Sequence, residues 1–97
     1  MTIILKGPFK KNTRNIFRDL GYFFYKQDID TQELIFFRPA QGYPRFHIYL
    51  KEMNGELVVN LHLDQKRPVY SQSHAHQAEY DGSLIEQEAE RIKTAAL

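Results

Sequence analysis

One stretch of the sequence, "RFHIYLKEMNGELVVNLHLD" at residues 45–64, constrains the fold more than any other. Asn54-Gly55 is a dipeptide preferred in two-residue type I′ hairpin turns, and alternating apolar residues flank it on both sides. Counting outward from the turn pairs apolar side chains on one face, namely Leu50 with Val59, Ile48 with Leu61 and Phe46 with Leu63. Because the turn and the alternation are independent signals, together they predict an antiparallel hairpin with that face against the core.

The same register gathers polar and aromatic residues on the opposite face of the hairpin. It pairs Tyr49 with Asn60, His47 with His62, and Arg45 with Asp64. Directly opposed Cβ atoms in an antiparallel pair lie about 4.5–5.5 Å apart. The sequence therefore predicts two imidazole rings close enough to share one ion or one substrate.

Further strands are predicted from short β-branched and aromatic runs at residues 2–6, 22–27 and 33–39. Two helices are predicted, one between the first two of these strands and one at the C-terminal end of the sequence. An apolar stripe with helical spacing indicates a helix from Pro8 to a glycine cap at Gly21. A capping box formed by Ser83 and Glu86 opens a C-terminal helix.

These elements predict an α+β fold in the order β-α-β-β-β-β-α. We expect a mostly antiparallel sheet of four to five strands, with the helices packed on one face. A chain of 97 residues suffices for one modest core, so residues 1–97 are expected to form a single domain.

The composition argues against several kinds of site and partner. The chain has no cysteine, which excludes disulfides and thiolate metal sites, and a formal net charge of only +1, which argues against a strongly basic nucleic-acid binder. It has no run of 18 apolar residues, no secretory leader pattern and no nucleotide-cofactor motif. We therefore expect a small soluble cytoplasmic protein with no membrane partner.

The leading hypothesis is a divalent-metal site, with zinc as the metal and hydrolysis as its chemistry. Residues 66–82 show no periodic pattern, and a loop of that length in a compact domain is usually functional or disordered. If the loop folds over the two strand histidines, imidazole and carboxylate groups converge that suit zinc: His47, His62, His74, His76 and Glu79. Arg45, Tyr49 and Asp64 would then support these ligands or contact a substrate.

An alternative hypothesis is an RNA-binding or ribonuclease-like domain that uses the same histidines as general acid and base. RNA carries a 2′-hydroxyl that can serve as the nucleophile. Residues 1–27 have a local charge balance of +5, and the first predicted helix carries a group of cations that could contact phosphates: Lys10, Lys11, Arg14 and Arg18.

A second alternative is an interaction or homodimerisation domain that performs no chemistry. The histidines would then only solvate the outer face of the sheet or anchor the loop. Aromatic residues at 22–25 and 36–37 should alternate between the two faces, leaving a partly apolar outer surface suited to self-association. The sequence does not decide whether the protein is an enzyme.

Overall fold

The computed structural model describes residues 1–65 and 82–96. Within them, five strands form one antiparallel sheet with the spatial order β1-β5-β4-β3-β2. The strands are β1 (Thr2–Lys6), β2 (Phe23–Gln27), β3 (Leu34–Arg38), β4 (Arg45–Met53) and β5 (Glu56–Asp64), and the helices are α1 (Thr13–Asp19) and α2 (Gly82–Ala95). This order confirms the predicted α+β class and the sequence β-α-β-β-β-β-α. Neither helix is long and apolar enough to cross a membrane.

The β4–β5 hairpin has the register predicted from its turn. Asn54 and Gly55 both have positive φ, 54° and 78°, as a type I′ turn requires. Ile48 lies opposite Leu61, and His47 lies opposite His62. The two strands occupy the centre of the sheet, so the geometry of this hairpin sets both the core and the opposite face.

The core lies between one face of the sheet and the two helices. Four residues of the central hairpin, Ile48, Leu50, Val59 and Leu61, are fully buried there. They belong to the same cluster as apolar residues of both helices: Ile16, Phe17, Ala89 and Ile92. The helices therefore cover one face of the sheet, as predicted. The other face carries Arg45, His47, Tyr49, His62 and Asp64 and is called the histidine face below.

Helix α1 is shorter than the sequence predicts. It begins at Thr13 rather than at Pro8, because the Asn12 side chain accepts a hydrogen bond from the Asn15 backbone N–H at 2.9 Å and so caps the helix there. Phe9 precedes the helix but still packs against the core. The predicted end is confirmed, since Gly21 follows the helix with φ of 96°.

A buried carboxylate that sequence reasoning missed fastens α2 to the sheet. Glu88 is 3% exposed and accepts hydrogen bonds from Tyr22 at 2.6 Å, Arg38 at 2.9 Å and Arg91 at 2.9 Å. Burial alone would raise the pKa of Glu88, but the hydrogen bonds from Arg91, Arg38 and Tyr22 outweigh it and lower the pKa. Burial and the Glu88 charge raise the pKa of Tyr22. Tyr22 is therefore a neutral phenol that donates a hydrogen bond to the Glu88 carboxylate.

Candidate functional site

The histidine face owes its arrangement to the pairing of the two central strands. Residues that alternate along β4 and β5 share a face, and the observed register sets Arg45 opposite Asp64, His47 opposite His62 and Tyr49 opposite Asn60. Because both strands are anchored from behind by fully buried residues, these side chains extend from a rigid base. The backbone placement expected from the sequence is thus the one observed.

Asp64 orients the imidazole of His47. Its Oδ2 lies 2.8 Å from Nδ1 of His47 and also accepts a hydrogen bond of 3.4 Å from Nε of Arg45. A carboxylate on Nδ1 favours the tautomer with hydrogen on that nitrogen and directs Nε2 to the other side of the ring. The His47 side chain is only 18% exposed, so its orientation is well constrained.

The second imidazole, His62, stacks on the first. The ring centroids of His47 and His62 are 4.9 Å apart and their planes differ by 19°. Tyr49 contacts both rings edge-on, at 5.3 Å from His47 and 5.9 Å from His62. The face therefore presents two nearly parallel imidazoles held by a third ring.

The electrostatic surroundings of His62 favour its neutral form. Partial withdrawal from water, the neighbouring His47 and the N-terminal ammonium lower its pKa from the usual 6.5, and the Asp64 charge opposes them. The ammonium lies nearby because the Met1 nitrogen donates to the carbonyl of Leu61 at 3.0 Å. His62 remains exposed to solvent, so it can exchange protons with water or with a ligand.

The stacking of His47 on His62 argues against one metal ion bound by both rings. A metal ion lies close to the plane of an imidazole that ligates it, and two nearly parallel stacked planes do not meet near the rings. In residues 1–65 and 82–96 there is no group of three or more His, Asp or Glu side chains that could hold a metal ion. The remaining predicted ligands, His74, His76 and Glu79, lie outside the described residues, and the zinc site stays a prediction.

Aromatic and cationic groups continue the site towards β2. Phe37 contacts His47 at 6.1 Å and Tyr25 contacts Phe37 at 5.3 Å. The Arg45 guanidinium lies 4.1 Å above the Phe37 ring and 4.9 Å from the Tyr43 ring. Strand alternation could have placed Phe37 on this face, whereas nothing in the sequence pattern signals the contact with Tyr43, which precedes β4.

The predicted basic residues of the first helical region lie on the other side of the sheet. Lys11 forms an ion pair with Asp19 at 2.5 Å, Arg18 lies 3.8 Å from the same carboxylate, and Arg14 stacks on Phe24 at 4.0 Å. Lys10 is exposed next to them. Since α1 packs on the core side, the basic residues and the histidine face form two separate surfaces.

Comparison with protein-family models, with curated proteins and with solved structures finds no match to this chain. The chemistry of the histidine face is therefore the guide to function.

Proposed function

We propose that the histidine face is an acid–base site that cleaves phosphodiester bonds in RNA. The observation that carries the proposal is the pair of stacked imidazoles in different electrostatic surroundings, one of them bonded to a carboxylate. Two titratable groups whose environments differ are a common basis for dividing acid and base roles.

His47 is assigned the role of general acid. Asp64 accepts the Nδ1 hydrogen at 2.8 Å, an arrangement that fixes the tautomer and the orientation of the ring. The proton that His47 donates is therefore the one on Nε2. Arg45, which bonds to the same carboxylate oxygen, adds positive charge next to the position where a phosphate would bind.

His62 is assigned the role of general base. Its lowered pKa leaves the imidazole neutral at neutral pH, so it can accept a proton from the 2′-hydroxyl of a ribose. Its greater exposure fits a group that contacts the substrate directly.

The reaction balances with these two residues alone. The 2′-oxygen attacks phosphorus as His62 takes its proton, the bond from phosphorus to the 5′-oxygen breaks, and His47 protonates the leaving oxygen. The products are a 2′,3′-cyclic phosphate and a 5′-hydroxyl.

Cleavage of a fluorescent RNA oligonucleotide in the presence of EDTA tests the proposal. We expect His47→Ala and His62→Ala each to lower kcat/KM by about 10²–10⁴-fold, the usual contribution of a general acid or base. Gln87→Ala, an exposed substitution on α2, is the control and should cleave like the native protein. Absence of cleavage by the native protein, or equal rates in all three variants, would contradict the proposal.

A zinc-dependent hydrolase is the second candidate, favoured by the same contact between Asp64 and His47. A carboxylate on one ring nitrogen commonly orients a histidine whose other nitrogen ligates zinc. The further ligands would come from His74, His76 and Glu79. Activity that EDTA abolishes and zinc restores would favour this candidate over metal-free catalysis, and metal content measured by mass spectrometry gives an independent check.

A further inference from the structure

We infer, resting on the proposed function, that the substrate is single-stranded RNA whose bases stack on Phe23 and Tyr25 of the edge strand β2. Both rings are 54% exposed, an unusual amount for large aromatic side chains. Phe23 pairs with Phe37, which in turn pairs with His47, so Phe23 lies on the histidine face. Tyr25 reaches the same face beside a register shift between Phe24 and Lys26.

A continuous line of ring contacts connects Tyr25 to the proposed catalytic histidines. It runs from Tyr25 to Phe37 at 5.3 Å, from Phe37 to His47 at 6.1 Å, and from His47 to His62 at 4.9 Å. The line crosses from β2 to β5, three strand spacings or about 14 Å. That distance is short enough for one oligonucleotide to occupy both the stacking residues and the histidines.

Cations beside this line complement a phosphate backbone. The Lys26 ammonium lies 5.5 Å from the Tyr25 ring, and the Arg45 guanidinium lies between Phe37 and Tyr43. Lys51 follows two residues after Tyr49 on β4 and is exposed on the same face. Aromatic rings for bases together with cations for phosphates are the combination that single-strand binders use.

The exposed rings and the cations of this surface favour single-stranded RNA as the ligand over a duplex or a second copy of this chain. Exposed rings can stack only on bases that are themselves unstacked, which a duplex does not offer. A two-fold dimer would bring the same cation-bearing patch from both copies together and so repel itself. Single-stranded RNA offers unstacked bases to the rings and phosphates to the cations.

Binding is measured separately from cleavage with a labelled ten-nucleotide 2′-O-methyl RNA, in which the nucleophilic hydroxyl is blocked. We expect Phe23→Leu and Tyr25→Leu each to weaken binding by about 5- to 150-fold, the range for loss of one base–aromatic stack, in fluorescence anisotropy. Tyr25→Phe should retain the affinity, because it keeps the ring. Leu84→Ala, an exposed apolar substitution on α2, should bind like the native protein.

The outcomes separate this inference from the proposed function. If the native protein binds the blocked RNA as expected but cleaves no unmodified RNA, the acid–base proposal fails and the stacking inference stands. If it cleaves RNA while both leucine variants bind and cleave as the native protein does, the inference is overturned and the acid–base proposal stands. Absent binding, equal affinity for a duplex of the same sequence, or a dimer that Phe23→Leu dissociates in ultracentrifugation would also overturn the inference.

Discussion

The two central histidines have different electrostatic surroundings, although they lie opposite each other on one pair of strands. His47 is bonded to Asp64 and largely enclosed, whereas His62 lies near the N-terminal ammonium and remains exposed. This difference, which their place in the sheet creates, is what the acid–base proposal uses.

Asp64 is a positioning residue in this account, since it acts through His47. We expect Asp64→Asn to lower kcat by about 10²–10⁴-fold with little change in KM, because the amide no longer fixes the tautomer of His47. The pH profile of kcat should differ from the native profile, because the amide carries no charge next to His47, and a purely structural role would not produce that effect. Glu56→Gln, at the other end of β5, is the matched control. A native pH profile in Asp64→Asn would contradict the assignment.

The lowered pKa of His62 also predicts a pH dependence of stability. Because its pKa is lower in the folded state than the usual 6.5, the unfolded chain binds the proton more readily. The contribution of His62 is complete above about pH 6.5 and is lost as pH falls through the lowered folded-state pKa. Urea unfolding between pH 7.5 and pH 5 should therefore show a smaller decrease in the free energy of unfolding for His62→Asn than for the native protein. Identical pH dependence in both proteins would rule out this shift.

At the scale of elements, the sheet is held to its helices by apolar packing and by one buried ionic cluster. Glu88 joins α2 to Arg38 at the end of β3 and to Tyr22 just before β2. Arg91 adds a hydrogen bond of 2.6 Å to the carbonyl of Leu20, after the end of α1. The cluster thus fixes the position of α2 relative to elements that are distant in sequence.

Replacement of Glu88 by Gln should destabilise the fold by about 2–3 kcal/mol. Removing one partner of a buried ion pair commonly costs about 3–5 kcal/mol, and partial exposure of Arg38 and Arg91 reduces this. Glu90→Gln on the same helix, where the side chain is 72% exposed, should change the free energy of unfolding by no more than about 0.5 kcal/mol. Equal denaturation midpoints for the two variants would show that the cluster adds little to stability.

The parts of the fold that the sequence predicts correctly are those fixed by local signals. Asn54-Gly55 and the alternation around it determine the β4–β5 register, and through it the juxtaposition of His47 and His62. The stacking of those rings could not be predicted, because it depends on side-chain rotamers that adjacent residues decide. The role of Glu88 could not be predicted either, since its partners come from three separate segments and its spacing resembles that of any helical glutamate.

At the scale of the whole molecule, charge is divided between two surfaces. The formal net charge is only +1, yet cations stand on the histidine face and, behind the sheet, around α1. The RNA hypothesis drawn from the sequence used the histidines together with the cations of the first helix. The fold places the histidine face and the cations of α1 on opposite sides of the sheet. Substitutions on one surface can therefore serve as controls for binding to the other.

The salt dependence of affinity tests whether the proposed RNA contacts lie on the histidine face or on the surface around α1. If Lys26, Arg45 and Lys51 contact phosphates, log Kd plotted against log salt concentration should have a slope of about 2, as expected for three contacts to a single strand. Lys51→Gln should reduce that slope by about 0.7. Lys11→Gln and Arg14→Gln, both in the α1 region, should leave it unchanged. A decrease in the slope with the α1 substitutions and none with Lys51→Gln would assign binding to the basic surface instead.

The most direct test of the central claim is the product formed from an oligonucleotide that contains one ribose among deoxyriboses, incubated with the native protein in EDTA and analysed by mass spectrometry. The acid–base mechanism requires the 2′-hydroxyl as nucleophile, so the predicted products are a 2′,3′-cyclic phosphate at that ribose and a 5′-hydroxyl on the following nucleotide. His47→Ala and His62→Ala should form these products at least about 10²-fold more slowly. An intact oligonucleotide, cleavage at deoxyribose positions, or formation of the products at the native rate by the histidine variants would contradict the claim that His47 and His62 cleave RNA.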